Sequence, residues 1–431
     1  MNRDVGEDGG GRGAGRIGEE RGGGFRGADG PVGLTGEDGS GGDRGGDGSA
    51  GAGREGSEPR PVVTELRLSA FRSFRGARLR LGALTVCTGP SGGGKSTVLE
   101  ALAVLAGLAG GQPLRDVLDA VPGGPVGCVP LGTVPDDQGR RGIRLGCTVS
   151  GPVGPVRLDL AVQVEPELRF VGERLTGAGE VLLETALRDP RGSSVQAAWH
   201  TAGRVPVTRA PLPDDRLASA LLPLRVAGRT PGQLLVLAAV EQLVVALRGV
   251  FRVDPEPRTM RDWVPAGNTM LEPDARNVSA VVARTLTECR VRHGLLGEAL
   301  RAVCPYRVDG VTVVPGAAGT VMAALDRGPL GGMPVTLLGA GELRALALSL
   351  VLLTGPGVLA MDPAEVPGAL QLLTVAAEDL DRGLAEGQVR ELLALAGRMC
   401  ARGHVRVVAS AHHRAWVEGT EGVTVIPLPL R

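Results

Sequence analysis

The alternation of apolar and polar positions after residue 61 predicts a set of β-strands. Short alternating runs fill residues 62–88 and predict two or three strands. The last run, LTVCT at 84–88, is apolar enough to be typical of a strand buried on both faces. In VRLDLAVQVE, at 156–165, every second residue is apolar, which predicts a strand with one buried face. Sheet structure is therefore expected on both sides of a helical segment that begins near residue 95.

Longer apolar runs with helical periodicity predict the helices. These lie at 95–108, at 341–353, near 386–401 and over most of 215–303, where 233–247 is the clearest case. Further strands are predicted at 306–314, 357–361 and 405–410, and a loop rich in glycine and proline at 110–135. Strands that alternate with helices in this order predict an α/β fold.

Residues 1–60 differ from the rest of the chain in composition. They contain 23 of the 69 glycines and almost no aliphatic residues, so they are predicted to be disordered. RGGGFRG at 21–27 is similar to segments that touch nucleic acid; a passive tail, or a start codon placed too far upstream, are the alternatives. The predicted organisation is a tail (1–60), the first part of a head domain (61–150), a mixed strand and helical insertion that forms a lid or shapes a dimer (151–330), and the second part of the head domain (331–431).

Charge and cysteine content exclude several classes of protein. The formal net charge is zero, and residues 1–60 carry 8 arginines against 12 acidic residues, which leaves a mild excess of 39 basic over 35 acidic residues beyond them. That excess does not by itself indicate nucleic-acid binding. Six cysteines and five histidines are scattered without a CxxC pair, so neither a zinc site nor a disulfide framework is indicated. No signal peptide or membrane span is apparent, and a cytoplasmic protein with no membrane partner is expected.

The segment GPSGGGKS, at 89–96, matches the phosphate-binding pattern GxxxxGK[ST]. Lys95 is the only lysine of the chain, and the other 46 basic residues are arginine. A compact ammonium on a flexible stem fits among phosphates wrapped by backbone, whereas a planar guanidinium is bulkier. The alternative, a glycine-rich turn with a chance lysine, is opposed by the strand before the motif and the helix after it. The predicted nucleotide-binding residues are Gly89, Pro90, Ser91, Gly92, Gly93, Gly94, Lys95, Ser96 and Thr97. Lys95 would bind the β- and γ-phosphates of ATP, and the Ser96 hydroxyl would ligate Mg²⁺.

Four segments resemble the RecF-like and SMC-like ABC-type ATPases, and within them the stand-alone AAA-family ATPases related to the OLD proteins. The similar segments are LRLSAFRSFRGARLRLGALTVCTGPSGGGKSTVLEALAVL (66–105), LLGAGELRALALSLVLL (337–353), GVLAMDPAEVPGAL (357–370) and VRVVASAHH (405–413). They occur in the order that the family shows and cover both ends of the ordered chain. The resemblance implies a P-loop NTPase with an ABC-type head: a mostly parallel central sheet flanked by helices, additional antiparallel strands and a mainly helical insertion.

The resemblance also implies roles for individual residues. Asp362 matches the Walker B aspartate that holds the Mg²⁺ shell, and His412 matches the switch histidine that senses the γ-phosphate. Asp362 capping a turn, and His412 as a surface histidine, are the alternatives. Arg72 lies where an arginine of the family approaches the nucleotide, between Phe71 and Phe74, which are expected to be core residues. The signature segment supplies three further residues that would contact nucleotide bound by the opposite protomer: Gly339, Gly341 and Glu342.

Two departures from the family pattern predict slow hydrolysis. The position of the catalytic glutamate is Pro363, and the nearest carboxylate, Glu365, would need a rearranged loop to act as the base. Loss of a positioned general base typically costs about 10²–10⁴-fold in rate. The signature serine is replaced by Gly339, while Arg344 follows on the same helix. ATP and Mg²⁺ binding are therefore expected to be intact and turnover to be reduced.

The resemblance implies a homodimer that closes on ATP. Two functions are compatible with it: an ATPase that handles DNA or defends the genome, with a separate nuclease or toxin as partner, and a nucleotide-gated switch or scaffold that recruits an effector with little hydrolysis. The chain shows no coiled-coil arm and no fused nuclease domain. The ATPase subunit of a transporter is a third alternative, which the FRSF opening disfavours.

Overall fold

The computed structural model describes residues 59–203, 205–361 and 372–429. The strands, in chain order, are β1 (Val62–Phe71), β2 (Phe74–Arg80), β3 (Leu84–Thr88), β4 (Arg141–Ser150), β5 (Val156–Glu165), β6 (Arg169–Gly177), β7 (Glu180–Ala186), β8 (Ser194–His200), β9 (Val207–Pro213), β10 (Val250–Val253), β11 (Val264–Pro265), β12 (Gly310–Pro315), β13 (Thr320–Asp326), β14 (Gly332–Pro334), β15 (Leu373–Ala377), β16 (Val405–Ala411) and β17 (Val423–Pro427). The helices are α1 (Lys95–Ala109), α2 (Leu114–Asp119), α3 (Gly124–Cys128), α4 (Ala218–Leu221), α5 (Pro231–Arg248), α6 (Val278–Glu288), α7 (Arg290–Val303), α8 (Ala340–Leu353), α9 (Glu386–Ala401) and α10 (Arg414–Val417).

A five-stranded parallel sheet forms the centre of the P-loop fold. Its strand order is β10-β15-β16-β3-β17, and every neighbouring pair is parallel. All five residues of β3 are buried, and β3 lies between β16 and β17, so the prediction that LTVCT is a buried interior strand is confirmed. Helix α1 follows directly on the glycine-rich loop after β3. The predicted α/β fold, with a parallel central sheet, additional antiparallel strands and a glycine-rich loop between β3 and α1, is confirmed.

An eight-stranded antiparallel sheet covers the other side of α1. Its order is β2-β1-β4-β5-β6-β7-β8-β9. In β5 the apolar residues at alternate positions are all buried and the intervening residues are more exposed, as predicted from the period of two. The buried face packs against α1 and α5 and forms one of two hydrophobic cores. Phe71 and Phe74 belong to this core, as expected.

The sequence prediction of a strand at 357–361 is wrong. Residues Pro356–Val358 form a 3₁₀ turn, and Leu359 makes only an isolated bridge to Leu271. The place in the central sheet is taken by β15, whose sequence LTVAA is buried at all five positions. Proline and glycine at 355–357 disfavour a central strand, because proline cannot donate to the ladder and glycine weakens it.

Residues 151–330 contribute to all three sheets of the structure. Strands β5 to β9 extend the antiparallel sheet, and β10 is an edge of the parallel sheet. In a small third sheet, β13 pairs with β11, β12 and β14. Helices α6 and α7 pack beside this third sheet and α8 in the second core. The region at 110–135, predicted as a loop, contains the short helices α2 and α3. The prolines are compatible with these helices because they lie at the amino ends: Pro113 directly precedes α2, and Pro125 lies in the first turn of α3.

In the described ranges, α5 is the one helix that is long and apolar enough to span a membrane by length and composition. Half of it is buried inside the protein, and it packs on α1 and on the antiparallel sheet. Gln242 in its centre is buried, and its amide donates to the carbonyls of Val149 and Gly154 and accepts from the amide of Val153. These contacts are those of a core helix that holds the turn between β4 and β5.

We expect Gln242→Met to lower the free energy of unfolding by about 1–3 kcal/mol, because it leaves buried backbone groups of the β4–β5 turn without their partner. Chemical denaturation of the full chain measures this loss. Glu241→Met, at the exposed neighbouring position, is the control and should change the same quantity by less than about 0.5 kcal/mol. Equal effects in the two variants would contradict the role assigned to Gln242.

Candidate functional site

The loop between β3 and α1 has a backbone that only glycine allows at two positions. Gly89 and Gly94 have φ values of 147° and 97°. A Cβ on Gly89 would lie 1.9 Å from the carbonyl oxygen of Leu428, and one on Gly94 would lie 2.9 Å from the ring of Phe74. The loop is therefore enclosed between the end of β17 and the start of β2, and its backbone can form the concave nest that binds phosphate oxygens.

Lys95 is buried at the start of α1, and its ammonium is held by the loop itself. Its Nζ donates to the carbonyl oxygens of Gly89, at 2.9 Å, and Pro90, at 3.1 Å. Both acceptors are neutral, so the positive charge of Lys95 is not compensated by an anionic partner among the described residues. A phosphate group would provide that charge, and the loop, the lysine and the amino end of α1 fit it together.

A cavity of about 470 Å³ opens beside this loop. Its walls bring together residues that are far apart in the sequence: Arg72 and Ser73 from the β1–β2 turn; Ser91, Gly92, Gly94, Lys95, Ser96 and Thr97 from the loop and α1; Val126, Gly127, Val129 and Leu131 from α3 and the segment after it; and Asp379 and His412 from the ends of β15 and β16. Of the sequence-predicted residues, the loop, Arg72 and His412 meet here. The cavity is polar on the loop side and apolar along α3.

Arg72 is fixed beside the cavity by contacts on both sides of its chain. It has a left-handed backbone with φ of 51°, and its amide donates to the carbonyl of Cys128. Its guanidinium lies 2.8 Å from the carboxylate of Glu100 on α1. Burial raises the pKa of Glu100, and the charge of Arg72 opposes that shift. A non-glycine residue in this conformation persists only where neighbouring contacts determine it, which is common at ligand sites.

Two carboxylates follow β15 directly and were missed in the sequence. Glu378 and Asp379 stand at the carboxyl end of the strand that neighbours β16. The Asp379 amide donates to the Ser410 hydroxyl at 2.8 Å, and its Oδ1 lies 3.6 Å from Nδ1 of His412. The signal in the sequence was a short apolar run, LLTVAA, that ends in two acids and precedes a helix.

Asp381 organises the loop that carries the two adjacent histidines. One oxygen of its buried carboxylate accepts from the backbone amides of His412 and His413 and from Nδ1 of His413, each at 2.8 Å. Burial acts to raise the pKa of Asp381, but these three donors outweigh it and the pKa is lowered. The ring of His413 stacks on Trp416 with centroids 3.8 Å apart. His412 is thereby left facing the cavity.

The predicted signature residues lie at the start of α8 and do not line the cavity. The amide of Gly339 donates to the carboxylate of Glu342, which also pairs with Arg327. A Cβ on Gly341 would lie 2.2 Å from the carbonyl oxygen of Gly383, so the helix end contacts the loop after β15 closely. These residues are exposed or half-buried in the single chain.

Arg344 connects α8 to the end of β15 through buried contacts. Its guanidinium donates to the carbonyls of Pro255, at 2.6 Å, and Glu378, at 2.9 Å, and lies 3.3 Å from the carboxylate of Asp254. Burial lowers the pKa of Arg344, and the nearby charge of Asp254 opposes this shift. The signature helix and the carboxylates of the cavity are therefore mechanically joined.

Asp362, Pro363 and Glu365, to which metal and base roles were assigned from the sequence, lie outside the described residues. Within the described ranges, no group of three or more histidine, cysteine or acidic side chains could hold a metal ion by itself. Such a cluster is not needed for Mg²⁺ at a nucleotide, because one or two protein ligands, water and phosphate oxygens commonly complete its shell. Ser96 and the carboxylates after β15 suit that partial set.

No protein-family model matches the sequence, and no curated protein matches it. Among solved structures, an SMC head bound to the C-winged helix domain of ScpA is similar, with 9% identity, a TM-score of 0.49 and coverage of 86% of this chain and 95% of that chain. The SMC head domain from Thermotoga maritima has 12% identity, a TM-score of 0.39 and coverage of 84% and 92%. An SMC head with an extended coiled coil, bound to the C-terminal domain of ScpA and derived from Pyrococcus furiosus, has 8% identity, a TM-score of 0.43 and coverage of 83% and 91%.

We expect Gly341→Ala to lower the free energy of unfolding by about 1–3 kcal/mol, because the new methyl group meets a backbone carbonyl that cannot rotate away. The measurement is chemical denaturation. Gly339→Ala is the matched control: a Cβ there has only the flexible end of Glu342, 3.8 Å away, as neighbour. If Gly341→Ala proves as stable as Gly339→Ala, the close contact between α8 and the loop after β15 is refuted.

Proposed function

We propose that this protein binds a nucleoside triphosphate, ATP, together with Mg²⁺ at the glycine-rich loop and hydrolyses it slowly. The observation that supports this most directly is the cavity, in which Lys95, Ser96, Asp379 and His412 face one another. These four side chains come from three strand ends of one parallel sheet, which is where ligands bind in open α/β folds.

Each residue has a role that its position supports. Lys95 would exchange its hydrogen bonds to two neutral carbonyls for hydrogen bonds to phosphate oxygens. The backbone amides of the loop and of the first turn of α1 would donate to the same phosphate. The hydroxyl of Ser96 and a carboxylate from the end of β15 would hold Mg²⁺. The ion neutralises phosphate charge when it is bound. His412 and Asp379, which also line the cavity, would contact the terminal phosphate and the water that attacks it.

Slow turnover follows from the carboxylates at this edge. The resemblance predicts aspartate and then glutamate after the strand, whereas β15 is followed by glutamate and then aspartate. If β15 is the strand that carries the acidic pair, Asp379 takes the place of the base and is one methylene shorter than glutamate. A misplacement of about 1 Å in a reacting group can cost about 10²-fold in rate. Slow hydrolysis is thus proposed from β15 in place of the argument from Pro363, which assigned the base to a different segment.

The function of the nucleotide is proposed to be dimerisation. The signature residues at the start of α8 do not line the cavity of their own chain, and the RecF-like and OLD-like resemblance implies that a second copy presents them. On this proposal the closed homodimer acts in DNA handling or genome defence, with a separate nuclease or toxin as effector. The alternative is a nucleotide-gated switch that recruits a partner with hardly any hydrolysis, and the exchanged carboxylates favour it.

Lys95→Ala is expected to weaken binding of a fluorescent ATP analogue by about 10–150-fold, the range for loss of a hydrogen bond to a charged group. Lys95→Arg should bind nearly as poorly, because the enclosed loop leaves little room for a guanidinium. Wild-type turnover is expected below about 1 s⁻¹, the lower end of typical kcat values. Unchanged binding in Lys95→Ala would refute the nucleotide site, and brisk wild-type turnover would refute slow hydrolysis.

A non-hydrolysable ATP analogue with Mg²⁺ is expected to convert the wild-type chain from monomer to dimer in analytical ultracentrifugation, and Lys95→Ala should stay monomeric. A DNA-binding titration under the same conditions separates the two functions. Binding that needs the analogue and weakens steeply with salt supports DNA handling, because phosphate contacts release counterions. Dimerisation without DNA binding supports the switch. A chain that stays monomeric with the analogue contradicts both.

A further inference from the structure

We propose that, of the two adjacent carboxylates that follow β15, Asp379 serves the metal and phosphate end of the cavity, and that Glu378 is withheld from it by an ion pair with Arg252. This inference rests on the proposed nucleotide binding. It reverses the expectation from the resemblance, in which the first acidic residue after the strand serves the metal. Arg252 belongs to β10, the edge strand beside β15, and nothing in the sequence motifs pointed to it.

The backbone directs the two carboxylates to different places. Glu378 directly follows the last residue of β15, and its backbone is held on both sides: its amide donates to the carbonyl of Val253 on β10, and its carbonyl accepts from Arg344. Asp379 leaves the strand with a left-handed backbone, φ 46°, and its amide turns to Ser410 on β16. Adjacent residues of an extended chain project to opposite sides. The turn at Asp379 adds to this separation and brings its carboxylate toward β16.

Glu378 is the buried member of an ion pair. Its Oε2 lies 2.8 Å from Nη2 of Arg252, and its side chain is 11% exposed, whereas that of Arg252 is 36% exposed. Burial raises the pKa of Glu100 on α1 most, the charges of Arg72 and Arg252 oppose this shift, and the charge of Glu378 adds to it. The charge of Arg252 therefore acts on Glu100 as well as on Glu378, its ion-pair partner. Moving Glu378 away from it toward the cavity would separate a desolvated charge from its partner, which is costly in a buried site.

Asp379 is the acidic residue of the described chain that lines the cavity. It shares those walls with Ser96, and its Oδ1 lies 3.6 Å from Nδ1 of His412. Its side chain is 25% exposed, so water can reach it. Of the described residues, Asp379 is therefore the carboxylate that can serve the metal shell or the attacking water, and the ion pair with Arg252 keeps Glu378 from sharing either role.

The experiment measures binding of a fluorescent non-hydrolysable ATP analogue to the full chain as Mg²⁺ is added, and again with EDTA. The isosteric variants Asp379→Asn and Glu378→Gln are compared, and thermal unfolding shows that both are folded. We expect Asp379→Asn to weaken the apparent Mg²⁺ affinity by about 10–100-fold, as for residues that support a metal shell. Glu378→Gln is expected to change the apparent Mg²⁺ affinity by less than about threefold, which is well below the effect expected for Asp379→Asn.

A second variant tests the ion pair itself. Arg252→Gln removes the partner of Glu378, so Arg252→Gln combined with Asp379→Asn should recover at least about threefold of the lost Mg²⁺ affinity, a coupling that a double-mutant cycle detects. Failure of this recovery would overturn the statement that Arg252 withholds Glu378. An effect of Glu378→Gln as large as that of Asp379→Asn, or no effect of either, would overturn the assignment of Asp379. In each of these cases, analogue binding that is lost in Lys95→Ala leaves the proposed function standing, whereas binding that survives Lys95→Ala overturns the function itself.

Discussion

The register of the parallel sheet is the constraint on which the site depends. Thr88 at the end of β3 pairs with Ala411 at the end of β16, and Ala409 pairs with Ala377 at the end of β15. The residues that follow these ends are Gly89, His412 and Glu378, and Gly89 is more than 280 positions from the other two in the sequence. Parallel strands bring their carboxyl ends to one edge, so the phosphate loop, the histidine and the carboxylates meet without any local signal. A slip of one residue would turn their side chains to the opposite face.

Buried charges then hold the loops at this edge in place. Asp381 binds the two histidine amides, Arg344 binds the backbone after β15, and Arg252 pairs with Glu378. Each of these groups is costly to bury and is compensated by several donors or by an opposite charge, so removing one partner is expensive. The network therefore favours one arrangement of the cavity walls. It also joins α8 to β15, so a displacement of the signature helix requires either breaking the Arg344 contacts or moving the carboxylates with them.

The parts that were predictable from the sequence are those with a local physical cause. The glycine-rich loop, the period of two in β5 and the buried run of β3 are encoded by neighbouring residues, and the structure has them where they were expected. The choice between the apolar runs at 357–361 and 373–377 was not local. Both are short, both are followed by acids, and the family resemblance favoured the first. The second run is selected by its pairing with β10, which begins 123 residues before β15, and with β16, which begins 32 residues after it.

The arginine-rich composition makes the two kinds of basic site in this protein easy to compare. Where a cation pairs with a carboxylate or with several carbonyls, as Arg252 and Arg344 do, the planar guanidinium supplies a fork of donors that suits a buried, fixed geometry. In the proposed function, the cation at the glycine-rich loop changes partners, from the carbonyls of Gly89 and Pro90 to an incoming phosphate. The compact ammonium of a flexible lysine side chain can make that exchange in the narrow space between Leu428 and Phe74. The one lysine thus occupies the position where the basic group has to move, and arginine occupies the positions where it has to stay.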